Sequence, residues 1–127
     1  MKLATLPAVG ISFVAVLAAR AWVRLAPGRA IRWASSTPVI AADRPAAIDS
    51  FSCAVAAIGV RCGATCLEQG VALTLVLAAM RVPARLVIGV DRSGTGFGAH
   101  AWVESNGRVI LGGADAPKYA PMPIAGA

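Results

Sequence analysis

The segment that opens at Thr65-Cys66-Leu67-Glu68 and runs to about Met80 constrains this chain most, because beyond Gln69 its only polar side chain is Thr74. A helix that is apolar on every side cannot lie on a surface, so the remaining chain must be layered around it. Its start is marked by the pattern T-x-x-E. In this capping box the Thr65 side chain accepts the amide of Glu68, while the Glu68 carboxylate reaches back to the amide of Thr65. Cys66 is then the first residue of a central, buried helix. Pro83 prevents that helix from continuing.

The flanking segments supply the layers. Ala46 to Val60 places Ala, Val and Ile at helical spacing, with Gly59 near the end and a short turn at Gly63. Arg85 to Val90 is rich in β-branched residues, Ser93 to Gly96 is a loop, and Phe97 to Glu104 alternates as a second strand. Asn106-Gly107 is a strong two-residue hairpin signal, so Arg108 to Leu111 should return antiparallel. Helices followed by strands predict an α+β fold, in which the central helix packs on a small antiparallel sheet. The tail after Gly112-Gly113, with Pro117, Pro121 and Pro123, is expected to be irregular.

Residues 1–45 differ in character from residues 46–127, and the chain divides on composition into an N-terminal arm with linker and a following domain. Leu3 to Ala19 is almost wholly apolar, giving a helix from about Ala8. Three readings stay open for it: a retained helix packed on the domain or a partner, an export signal, or a membrane anchor. Pro27 to Pro45 reads as a linker or a loosely helical connector. The net charge of +6 is concentrated here, since residues 1–42 hold Lys2, Arg20, Arg24, Arg29 and Arg32 and no acid. Basic residues after an apolar stretch suit an interfacial helix or docking segment. They fit these roles better than a groove that tracks phosphates, so no nucleic-acid partner is expected.

Cys53, Cys62 and Cys66 are an odd number, which disfavours a disulfide framework and points to a reducing, cytoplasmic compartment, with peripheral membrane contact through the arm as an addition. Cys66 stands apart from the other two. The first turn of a helix carries unsatisfied amides and the positive end of the macrodipole, which favour a thiolate and can also hold an oxyanion forming on an attacked carbonyl. Helical spacing puts Gly70, Leu73, Leu77 and Met80 on the side of Cys66, and this face should meet the sheet. The single histidine, His100, sits mid-strand and by alternation shares a face with Gly98, Trp102 and Glu104. Trp102 is expected beside the cleft, Glu104 as a solvated strand-end acid, and Gln69 as an inert helix-surface residue or a neighbour of the oxyanion.

The runs ATCLEQGVALTLVLAAMRVPARLVIGV and FGAHAWVESNGRVILGG resemble the C-terminal domain of lasso-peptide biosynthesis B proteins, over about Ser50 to Met122. These are leader peptidases among the transglutaminase-like cysteine peptidases. The resemblance implies a papain-like core, Cys66 as nucleophile, His100 as base, no cofactor, and cleavage of a ribosomally made precursor between its leader and core peptides. It also implies a separate leader-recognition protein and a lasso cyclase as partners, as in short stand-alone members. The family's third catalytic residue is an acid about a dozen residues beyond the histidine, where this chain has Gly112-Gly113. The nearest acid is Asp115. A tight hairpin would set Gly113 opposite His100, with Asp115 two residues further on the same face and in diagonal reach.

Two rival functions come from other classes. Cys53, Cys62, Cys66 and His100 supply the ligand count of a structural Cys₃His zinc site, although their spacing follows no zinc-finger pattern and such a site has no use for a capped helix start. A small membrane-associated scaffold would account for the apolar arm and leave the Cys-His pair unexplained.

Overall fold

The computed structural model describes residues 6–36, 45–91, 99–113 and 119–121. They form α1 (Leu6–Leu25), α2 (Pro27–Ser35), α3 (Pro45–Cys62) and α4 (Cys66–Ala79), then β1 (Arg85–Asp91), β2 (Ala99–Ser105), β3 (Arg108–Leu111) and β4 (Tyr119–Pro121). The all-apolar helix is α4. It is covered by α1 and α3 and by strands β1 and β2, with Val71, Ala72, Leu73 and Leu77 wholly buried. Gly70 sets the closeness of this packing, because a Cβ there would stand 2.6 Å from Leu86 Cδ1.

The four strands form one antiparallel sheet in the order β3-β2-β1-β4. Alternation divides its faces. Leu86 and Ile88 on β1 and Ala101 and Val103 on β2 belong to the main core with α4, while Val87, Trp102 and Val109 make a small second cluster. The fold class is α+β, as the sequence leads one to expect.

The β2–β3 hairpin turns at Asn106 and Gly107, both at positive φ (52° and 78°), the backbone that a type I′ turn requires. Beyond it the pairing departs from a simple two-residue count. Ser105 faces Arg108 and Glu104 faces Val109, but Val103 faces Leu111, so an irregularity between Val103 and Glu104 slips the strands by one residue. The expectation that Gly113 lies opposite His100 assumed no such slip.

The Pro27–Pro45 stretch, read as a linker or a loosely helical connector, holds helix α2, and the tail, expected to be irregular, holds strand β4. Pro27 occupies the first turn of α2, where a missing N–H costs nothing, and Ala30 and Ala34 bury against the core while Trp33 packs on Trp22 of α1 at 5.6 Å between ring centroids. In the tail, β4 pairs with the outer edge of β1. Helix α1 sends Ala8, Ala15, Val16 and Ala19 into the same core as α4, so the arm and the residues after 45 share one hydrophobic interior.

Helix α4 ends in a Schellman arrangement. The Arg81 amide donates to Ala78 O at 3.0 Å and the Val82 amide to Leu77 O at 2.8 Å, with Arg81 itself at φ 58°. A left-handed position held by a residue with a Cβ stores strain. Arg81→Gly should therefore raise unfolding stability by about 0.5–1 kcal/mol in urea titrations, whereas Leu77→Ala should lower it by about 3 kcal/mol through the cavity it leaves.

Candidate active site

The thiol is presented by the turn between α3 and α4. Thr65 has extended backbone (φ −70°, ψ 165°) and closes the capping box: the Glu68 amide donates to Thr65 Oγ1 at 3.1 Å and the Thr65 amide to Glu68 Oε1 at 2.9 Å. Cys66 follows as the first helical residue and is exposed. The Gln69 amide donates to Thr65 O at 2.9 Å. The amides of Cys66 and Leu67 are thus the first-turn donors with no protein acceptor among the described residues. They point where negative charge on a reacting oxygen could be held.

Three further contacts fix this turn, and none of them is evident in the sequence. Arg20 of α1 donates from a terminal guanidinium nitrogen to Cys62 O at 2.9 Å. Arg24, one helical turn on, places Nε 3.7 Å from Glu68 Oε2, so the buried capping carboxylate also meets a cation. Gln69 Nε2 donates to Ala64 O at 3.0 Å, and Gly59 leaves the space for that side chain, since a Cβ at Gly59 would come within 2.5 Å of it. Gln69 is a strut of the turn. The arginines of the arm brace the segment in front of the thiol.

Cys66, Leu67, Ile88, His100 and Ala101 line one open cleft of about 220 Å³. Ile88 and Ala101 are cross-strand partners under the first turn of α4, with Gly89 and His100 the next pair along the sheet. Cys66 and His100 thus border one cleft, and by alternation the His100 side chain lies with Trp102 on the sheet face turned away from α4.

The imidazole is held on two sides. His100 Nε2 lies 3.1 Å from Gly112 O. A carbonyl oxygen only accepts, so Nε2 carries a hydrogen, and in the neutral form of the ring this contact selects the tautomer with its lone pair on Nδ1. Trp102 stacks beside the ring, with centroids 6.1 Å apart and planes 29° apart. Its indole Nε1 donates to Glu104 Oε2 at 2.8 Å, and Glu104 Oε1 in turn lies 3.7 Å from an Arg85 guanidinium nitrogen. Glu104 is hence a partnered acid that locks Trp102, and the expectation of a solvated strand-end carboxylate is corrected.

Gly112 stands twelve residues beyond His100, the spacing at which an acid was looked for. It has φ +78°, and a Cβ there would sit 3.1 Å from both Ala101 O and His100 Nε2. Only glycine lets the backbone approach the ring this closely. Asp115 lies outside the described residues.

A zinc site built from Cys53, Cys62, Cys66 and His100 is not formed. Among the described residues no three His, Cys, Asp or Glu side chains converge to hold a metal. Cys53 and Cys62 lie on one helix nine residues apart, roughly 13 Å along its axis, too far to ligate one ion.

Comparison with protein families matches residues 8–123 to the Transglutaminase-like superfamily. The chain belongs to that superfamily. The match takes in α1 as well as the helix and sheet that carry Cys66 and His100. No curated protein and no solved structure matches the chain.

Gly112→Ala should both strain the turn and push its carbonyl off the imidazole. We expect a loss of about 1–2 kcal/mol of stability. Because the chain has one histidine, ¹⁵N-detected spectra report its ring alone. They should show the Nε2–H tautomer in the wild type and a tautomer mixture in Gly112→Ala.

Proposed function

We propose that this chain is a cysteine peptidase that removes the leader from a ribosomally synthesised lasso-peptide precursor. The observation that carries the peptidase part is an exposed thiol at a capped helix start on a cleft that His100 also borders, with His100 Nε2 engaged by Gly112 O. Membership of the Transglutaminase-like superfamily supports it. The lasso-precursor part rests on the likeness of the TCLEQG and AHAWVE segments to leader peptidases.

In this mechanism Nδ1 of His100 takes the proton from Cys66 Sγ, and the sulfur attacks the scissile carbonyl carbon. The carbonyl oxygen gains negative charge near the Cys66 and Leu67 amides. As the intermediate collapses, the C–N bond breaks, the departing core-peptide amine takes the proton from the imidazolium, and the leader remains as a thioester on Cys66. Water then loses a proton to His100 and attacks the thioester carbonyl. The C–S bond breaks, and the thiol recovers the proton as the leader leaves with a free carboxylate. Asp115 is assigned the task of compensating the imidazolium charge.

The cleft walls formed by Leu67, Ile88 and Ala101 are apolar, and the volume holds only one or two side chains. Recognition of a long leader must then lie elsewhere. A separate recognition protein that tethers the leader near Cys66 would raise its effective concentration.

Cleavage of a candidate precursor tests these roles. Cys66→Ala and His100→Ala should each abolish cleavage while leaving the fold intact, and Cys53→Ala and Cys62→Ala should keep most of it. His100→Ala should also slow alkylation of Cys66 at neutral pH, and unchanged alkylation and turnover would break the pairing. Asp115→Asn should lower the rate at least about ten-fold, or about 1.4 kcal/mol of transition-state stabilisation, with little change in Tm.

Cleavage should be slow with the isolated chain and much faster when the leader is delivered by its recognition protein. Full rate from the chain alone would contradict the division of labour. Cleavage of unrelated peptides at the same rate would retain the peptidase and reject the lasso precursor.

A further inference from the structure

Helix α1 has two faces, and only one has a partner. Ala8, Ser12, Ala15, Val16 and Ala19 point into the core. On the opposite side Ile11, Phe13, Val14, Leu17 and Leu25 are exposed, with Val14 at 65% and Leu25 at 85% of full accessibility. Gly10, Ala18 and Ala21 fill the gaps between them and are exposed as well. At 3.6 residues per turn these positions cover roughly 160° of the helix, an arc with no polar side chain except Arg24 at its margin. A contiguous apolar surface of this kind on a folded domain marks a contact site.

The character of the face selects its occupant. A protein interface draws direction from hydrogen bonds, about one per 100–200 Å² buried, and this arc offers no side chain to make them. Lipid chains need none. The N-terminal segment carries charge of a single sign, since residues 1–42 contain no acid, and Arg29 and Arg32 are exposed on the following helix. Cations beside an apolar helix face complement anionic headgroups above acyl chains.

The packing also settles the orientation. From Pro7 to Leu25 the helix is long and apolar enough to cross a bilayer, but its inner face is built into the core with α4, and crossing would strip that core open. It can meet lipid only lying flat.

We infer that the outer face of α1 is a docking surface for an anionic lipid membrane, which the domain meets with this helix in the plane of the interface. The site rests on α1 alone and is independent of the peptidase chemistry. Because Arg20 and Arg24 of the same helix brace the turn before Cys66, the docked domain would hold its cleft at a fixed attitude to the membrane.

Co-sedimentation of the full chain with vesicles tests the inference. One set is phosphatidylcholine alone, and the other contains roughly one part in four of phosphatidylglycerol. The wild type should partition onto the anionic vesicles at least about ten-fold better than onto neutral ones, and added salt should weaken binding. Val14→Glu with Leu17→Glu, both at exposed positions, should abolish binding without changing the thermal melt, and Ile11→Gln should weaken it. Cys66→Ala should bind like the wild type, which separates this outcome from any failure of the peptidase proposal. No binding to either vesicle, or equal binding by the double variant, would overturn the inference. So would a concentration-dependent dimer that the double variant abolishes, since the face would then belong to a second copy of the chain.

Discussion

The structure depends on how a buried helix begins. A helix start leaves amides without intrahelical partners, and α4 is apolar enough that its body must be enclosed. The Thr65–Glu68 box resolves the conflict by satisfying the start locally, with the Glu68 carboxylate buried as the acceptor. A buried carboxylate needs its own compensation, which the Thr65 amide and Arg24 supply. The result is a rigid, charge-balanced collar around the point where the central helix meets solvent. Cys66 occupies that point, so the requirement that closes the core also presents the thiol.

The imidazole side follows a different logic. Its plane is set by stacking on Trp102, whose indole is fixed by Glu104 and Arg85, and its tautomer by a backbone carbonyl at Gly112. All four of these residues come from β1, β2 and the end of the β2–β3 hairpin. The sheet therefore orients the imidazole while α3, α4 and α1 orient the thiol, and the cleft lies where the two assemblies meet, over the Ile88–Ala101 pair. Small movements of one layer against the other would change the distance between Cys66 and His100. The close approach at Gly70 opposes such movement.

What could be read from the sequence was local. The capping box spans four residues and the Asn106-Gly107 turn two, and short-range backbone chemistry decides both, so the start of α4, the hairpin and the face carrying Leu73 and Leu77 were legible. The placement of Cys66 at a helix start and of His100 on a strand was legible from the same local patterns. Contacts across long separations were not. Nothing in the spacing of Arg20 and Arg24 says that they reach 42 and 44 residues ahead to Cys62 and Glu68, and as charges on an apolar arm they looked like a separate basic element. The slip at Val103/Glu104 was equally hidden, because a bulge leaves no mark in the pattern of alternation. Strand β4 was passed over, and α2 was left between a linker and a loose helix, for a related reason. Each is short, proline-bearing and dependent on the surface it packs or pairs against.

In the proposed mechanism the two glycines at the expected acid position leave one task to be divided between two groups. An orienting carboxylate does two things for an imidazole: it fixes the tautomer by accepting the far N–H, and it offsets the charge of the imidazolium. A carbonyl performs the first through its dipole and contributes little to the second. Gly112 O meets Nε2 and thereby leaves Nδ1 as the basic nitrogen, which accounts for why a glycine, with its left-handed φ and lack of a Cβ, stands there. Charge compensation is then separable, and in the proposed mechanism it falls to Asp115. At the thiol the first-turn amides of α4 supply partial positive charge from the helix itself. An ion pair formed between Sγ and the ring would thus be supported at one end by the helix start and at the other by a dipole and a carboxylate acting in sequence along one short stretch of chain.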